Sequence, residues 1–170
     1  FVYWQATRGT GIRNHAFPKE GKANIWVTIK PAEVKDLSQR IKLITLEDTR
    51  FLHCNIKTLN LIPSVMAAHS NVHIIKDGVF KTHPTDHYIL PGIARAHLIR
   101  ACKANNIPVD ETPFTVAELM DADEVIVSSS GSFCLVANEI DGKPVGGKAP
   151  ELIDTLQKYL VKEFIDATTV

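Results

Sequence analysis

Asp77-Gly78 stands between two short apolar runs, Val72-His-Ile-Ile75 and Val79-Phe80, and constrains the fold more than any other feature of the chain. An Asp-Gly pair tolerates the positive φ angles of turns whose twist matches paired strands, so the segment is expected to be a hairpin. Strand patterns are also expected at Phe1 to Thr7, Asn24 to Lys30, Ile41 to Leu46 and Glu124 to Val127. Helical patterns run from Pro91 to Cys102, with the proline in the first turn, and from about Pro150 to Asp166. The second presents Leu152, Leu156, Tyr159, Leu160 and Phe164 on one face. Thr115 and Glu118 have capping-box spacing for a short helix, and Ser64 to Ala68 reads as a helix start after Pro63. Alternating strands and helices predict an α/β protein, α+β by some criteria.

A polar, glycine-containing loop from Arg8 to Pro18 separates the first two strands, and Pro31 to Arg40 is polar and unpatterned, as a linker would be. The chain begins on an apolar strand without a methionine or a polar lead-in, so it reads as a piece, or the ordered part, of a longer protein. One junction is abrupt. Pro63 to Ala67 passes into His69-Ser-Asn-Val72 with no loop, and five residues make a poor helix because nucleation is costly.

Composition narrows the partners. With 19 basic and 19 acidic residues among 170 the formal net charge is zero, which argues against nucleic acid or an anionic membrane surface. No apolar stretch approaches a membrane span and no signal peptide is visible. Cys54, Cys102 and Cys134 are odd in number and far apart, and read as reduced thiols of a cytosolic, cytoplasmic protein.

Several residues could carry chemistry. Lys57 lies between Ile56 and Leu59, where its stem either snorkels to water or keeps a desolvated amine able to form a Schiff base with a carbonyl compound. Arg13 and His15 are two apart on a loop, either solvated or forked toward a carboxylate. The helix start at Pro91-Gly-Ile-Ala94 offers free N–H groups and the positive dipole end. Ser128 to Ser132 follows a strand and could form an anion-binding nest. Both are also ordinary turns and helix starts; together they point to a phosphorylated ligand. His69/His73 and His83/His87 are spaced four apart, but no third ligand completes a zinc pattern, so no metal is expected. Neither a serine elbow nor paired carboxylates stand out.

The chain resembles the D-amino acid transaminases of the fold-type-IV pyridoxal-phosphate enzymes over essentially its whole length. The motifs that carry the likeness are Thr7-Arg-Gly-Thr10 followed by Arg13-Asn-His15, Cys54-Asn-Ile-Lys-Thr-Leu-Asn-Leu61, Ser70-Asn-Val72, Leu90-Pro-Gly-Ile93 and Val127-Ser-Ser-Ser130. The Arg-x-His pair separates this branch from branched-chain transaminases and aminodeoxychorismate lyases. The resemblance implies the last strands of a small N-terminal domain at 1–30, a linker at 31–40 and the large cofactor domain at 41–170. It implies transfer of an amino group from a D-amino acid such as D-alanine to a 2-oxo acid such as 2-oxoglutarate, with pyridoxal 5'-phosphate as cofactor, in a homodimer. Alternatives are a branched-chain or amine transaminase, a lyase-like reaction on the same scaffold, or an inactive fragment.

By the same resemblance Lys57 is the Schiff-base lysine and proton shuttle, and Arg13 and His15 bind the substrate carboxylate. Leu90 packs on the pyridine ring, while Ile93, Ala94 and Ser130 hold the phosphate. Three departures follow. Ala94 stands where the family commonly has threonine. The resemblance implies the rest of a small domain ahead of Phe1, expected to belong to a longer protein of which this chain is a part. Between 67 and 68 the chain lacks a stretch that ends, in the family, with the glutamate paired to the pyridinium nitrogen. The chain as it stands is therefore expected to be a poor transaminase or inactive.

Overall fold

The computed structural model describes residues 1–11, 21–31, 36–47, 54 and 71–169. The chain divides into two compact units, 1–34 and 35–170. The helix start expected at Ser64 to Ala68 and the junction at 67 and 68 lie outside the described residues.

The first unit is an antiparallel ribbon of β1 (Val2–Thr7) and β2 (Asn24–Ile29), in register from Val2↔Ile29 to Thr7↔Asn24. Its open end is closed by Phe1 and Lys30, each donating an N–H to the other's carbonyl at 2.7 and 2.9 Å. At the other end the loop is pinched at its root. Gly9 has φ +95°, and a Cβ there would lie 2.1 Å from the carbonyl oxygen of Lys22. Only glycine permits that approach.

Among its described residues the second unit builds a mixed sheet of seven strands: β3 (Arg40–Leu43), β4 (Asn71–Lys76), β5 (Val79–Thr82), β6 (Val109–Asp110), β7 (Glu124–Ser129), β8 (Ser132–Ile140) and β9 (Lys143–Pro144). The order is β3-β8-β7-β4-β5-β6, with β9 paired to β8; β3 runs parallel to β8 and β6 parallel to β5. The expected hairpin is present, and Asp77 and Gly78 take φ of 49° and 77°, both positive. Asp141 and Gly142 repeat this between β8 and β9, with φ of 49° and 74°. β3 stops three residues short of the predicted Leu46, because the Asp141 carboxylate accepts the Thr45 N–H at 2.8 Å and hydroxyl at 2.6 Å. That draws the chain out of the ladder.

Side-chain alternation splits the core between the two sheet faces. Ile75, Phe80, Ile126 and Val136 pack with Leu98, Leu156 and Leu160 of the helices α1 (Ile93–Ala104) and α3 (Pro150–Thr168). Ile74, Val125, Ala137 and Ile140 pack on the opposite face. There Phe114, Leu119 and Met120 cover them, the last two from the short helix α2 (Val116–Asp121). Along α3 the deepest residues are Ile153, Leu156 and Leu160; Phe164 lies at the rim with its ring 5.5 Å from that of Phe133.

α1 starts later than predicted. Pro91 precedes the N-cap Gly92 rather than lying in the first turn, because the Gly92 N–H turns back to the Leu90 carbonyl at 2.7 Å. The helix ends where Asn106 adopts φ 56° and the Ile107 N–H donates to the Cys102 carbonyl at 2.9 Å, a Schellman closure.

Candidate active site

Several segments meet at one end of the large sheet. Asn71 opens β4 opposite Ser128 near the end of β7, and Thr82 closes β5 opposite His73. The Ser130-Gly131 turn joins β7 to β8 at that same end. The approach to α1 is fixed there as well: the Asn71 amide donates to the Leu90 carbonyl at 3.4 Å. A Cβ on Gly92 would stand 3.2 Å from that amide nitrogen, so this contact favours glycine at the helix start.

Among the described residues nothing closes off the first turn of α1: no side chain caps it, no acidic residue stands in it, and Ile93 is 71% exposed while Ala94 is buried. Its first N–H groups have no intrahelical acceptor and carry the positive end of the dipole. A helix start of this kind suits an anion, and a phosphate fits it.

Beneath this turn lies a row of buried polar side chains. His73 is fully buried, with Nδ1 2.7 Å from Thr82 Oγ1 and Nε2 2.8 Å from Ser128 Oγ. Burial, reinforced by the nearby Arg95 charge, pushes its pKa down to about 3, so the ring is neutral. Arg95, 6% exposed on α1, donates to the His83 carbonyl at 3.0 Å and to Glu111 Oε2 at 2.5 Å. Its Nε finds no partner among the described residues.

Of the residues singled out from sequence, Leu90, Ile93, Ala94 and Ser130 are gathered at this sheet end. Lys57, Arg13 and His15 lie outside the described residues. The expected Ser128–Ser132 nest is not formed as a unit. Ser128 turns inward to His73 and Ser132 is buried in β8, leaving the exposed Ser130 in a two-residue turn. Among the described residues no three His, Cys, Asp or Glu side chains are placed to hold a metal, and no helix is long and apolar enough to cross a membrane. Sequence reasoning gave no role to Arg95 or Thr82, counted Asn71 only within a motif, and weighed His73 only as half of a metal pair and Ser128 only as part of a nest. A usable signal was present for two of them: Arg95 is three residues before Leu98 on the buried helix face, and His73 interrupts an apolar strand.

The family model for amino-transferase class IV matches residues 65–140. The D-alanine aminotransferase of Listeria monocytogenes serotype 4b (strain F2365) is 37% identical over 195 residues, covering 98% of this chain and 68% of the relative. The chain thus spans about two thirds of that relative's length. In fold it is similar to the 4-amino-4-deoxychorismate lyase of Pseudomonas aeruginosa, with a TM-score of 0.80 at 22% identity over 95% of this chain and 70% of that one. It is also similar to the branched-chain amino acid aminotransferase of Escherichia coli, with a TM-score of 0.68 at 20% identity over 92% of this chain and 62% of that one. Identity of 37% along nearly the whole chain, on this fold and with an open helix start at the sheet end, has one consequence: the chain belongs to the class IV aminotransferases.

Proposed function

We propose that the chain is the pyridoxal-phosphate-binding portion of a D-amino acid transaminase. It would move the amino group of a D-amino acid such as D-alanine to a 2-oxo acid such as 2-oxoglutarate. The observation that carries this reading is the 37% identity to a D-alanine aminotransferase over 98% of the chain. The uncapped start of α1 supports the phosphate end of the site.

Pyridoxal phosphate, when bound, supplies a ring that withdraws electrons from the substrate Cα. The N–H groups of Ile93 and Ala94, with the Ser130 hydroxyl, hold the phosphate, and Leu90 packs on the ring. Lys57 would attach the cofactor and then, as base and acid, carry the proton between the substrate Cα and the cofactor C4′. Arg13 and His15 bind the α-carboxylate and so decide which face of Cα meets Lys57. Residues 1–30 act as the end of a small domain carrying that pair, 31–40 as a linker and 41–170 as the cofactor domain. The alignment to the Listeria relative runs over 195 positions against 170 residues here, so at least 25 of the relative's positions have no counterpart. That difference supports a stretch missing from within this chain; placed at 67–68, where the motifs put it, it would slow turnover. A homodimer and a cytoplasmic location complete the proposal, the latter supported by the buried thiols of Cys102 and Cys134, neither in a disulfide.

Pyridoxal phosphate added to the purified chain is expected to raise an absorbance band at the visible edge that borohydride removes, leaving the cofactor attached through a reduced C–N bond. Lys57→Ala should abolish the band. Persistence of that band in the variant, or equal rates with D- and L-alanine, would overturn the roles assigned to Lys57 or to Arg13 and His15.

A further inference from the structure

His73, Thr82 and Ser128 form a hydrogen-bonded trio of buried polar side chains on one sheet face. Ile75, Phe80 and Ile126, one step further along the same three strands, are apolar and fully buried. A fold that needed only packing would continue that pattern, because burying three polar side chains costs desolvation that their hydrogen bonds only offset. These three fall together at the sheet end that carries the start of α1, whereas the buried Glu124 of the same face lies at the opposite end of β7. Departures from local packing rules concentrate where function requires them.

The geometry of the trio is specific. His73 on β4 reaches Thr82 on β5 with one ring nitrogen and Ser128 on β7 with the other, at 2.7 and 2.8 Å. A neutral imidazole has one N–H and one acceptor nitrogen. One hydroxyl therefore receives the ring proton, the other donates its own, and one hydroxyl proton remains for use elsewhere. Each arm leads to a phosphate donor of the reading above. Thr82 adjoins His83, whose carbonyl accepts from Arg95 one residue after Ala94. Ser128 lies two residues before Ser130, ahead of the β7–β8 turn.

We propose that His73 is a positioning residue for the cofactor phosphate, holding the α1 start and the Ser130 turn in place through Thr82 and Ser128. This rests on the transaminase reading above and deepens it. His73 touches neither cofactor nor substrate in this role. Its effect is therefore confined to ligands that carry the phosphate.

The test titrates the full chain and three variants, His73→Phe, Thr82→Val and Ser128→Ala, with pyridoxal phosphate and with pyridoxal, which lacks the phosphate. The expected result is a loss of roughly tenfold in affinity for pyridoxal phosphate, the scale of one lost hydrogen bond, with pyridoxal affinity unchanged. His73→Gln, which keeps a donor and an acceptor, should recover part of the loss. Equal loss for both ligands would mark the trio as a fold staple and overturn the proposal, as would unchanged pyridoxal phosphate affinity in every variant. If His73→Phe does not fold, the two hydroxyl variants decide the matter. Failure of the unaltered chain to bind either ligand would instead overturn the transaminase reading, and the proposal with it.

Discussion

His73 keeps its ring neutral because burial strips the imidazolium of water and Arg95 opposes a second positive charge, holding the pKa down to about 3 against an ordinary 6.5. Above pH 6.5 neither folded nor unfolded chain carries that proton. As the pH falls below 6.5 the unfolded chain takes it up while the folded chain cannot, so stability declines until the folded pKa is reached. The slope is about 1.4 kcal/mol for each pH unit, and it levels off near pH 3. Chemical denaturation of the parent and His73→Phe between about pH 7 and pH 4 should show a shallower decline in the variant. Parallel declines would mean that His73 is not the group responsible. Ala94 offers a second test at this scale. It is buried at the second position of α1, with only its backbone N–H to give a phosphate. Ala94→Thr adds a hydroxyl where the family commonly has one, and should tighten pyridoxal phosphate roughly three- to tenfold in an absorbance titration. Weaker binding would mean that the packing around residue 94 has no room for the side chain.

At the scale of elements, what was legible in the sequence depended on how far apart the partners lie. The α2 cap involves residues three apart: the Glu118 N–H donates to Thr115 Oγ1 at 3.2 Å and the Thr115 N–H donates to Glu118 Oε2 at 2.7 Å. That N–H, with Lys81 and the Thr115 hydroxyl, holds the Glu118 carboxyl at about 2. Because no residue of α2 is buried, the cap contributes much of what orders it, and Thr115→Ala should cost about 1 kcal/mol in urea unfolding. No measurable change would show that the lid over Ile74 and Val125 is held by Phe114, Leu119 and Met120 alone. The Asp77-Gly78 turn was readable for the same reason, since its two φ angles belong to adjacent residues. By contrast, β3 pairs in parallel with β8, Arg40 opposite Val136, and no local pattern announces a partner 96 residues away. Similarly, His73 was visible as a residue, whereas the meeting of Thr82 and Ser128 at its ring depends on the register of three strands. Leu90, Ile93 and Ala94 were recognisable because a helix start and a short motif lie within five residues.

For the whole molecule, the two units differ in what they can do alone. Residues 35–170 contain both buried clusters, each closed by helices, strands and their own side chains. Residues 1–34 contain one two-stranded ribbon whose apolar face, Val2, Trp4, Ala6, Ile25, Val27 and Ile29, is exposed. A two-stranded ribbon is marginal in water. The proposed chemistry divides along the same line, with Lys57, Leu90, Ile93, Ala94 and Ser130 in the larger unit and Arg13 and His15 in the smaller. A chain of residues 35–170 is therefore expected to keep a cooperative unfolding transition and the pyridoxal phosphate band, because core and phosphate donors remain. It should lose enantiomer preference, because the carboxylate pair is gone. Exchange of the Cα hydrogen of alanine, followed by NMR in deuterated water, measures this directly: the parent chain should favour D-alanine and the shortened chain should treat both enantiomers alike. A retained preference for D-alanine would place the selecting groups within 35–170 and remove Arg13 and His15 from that role.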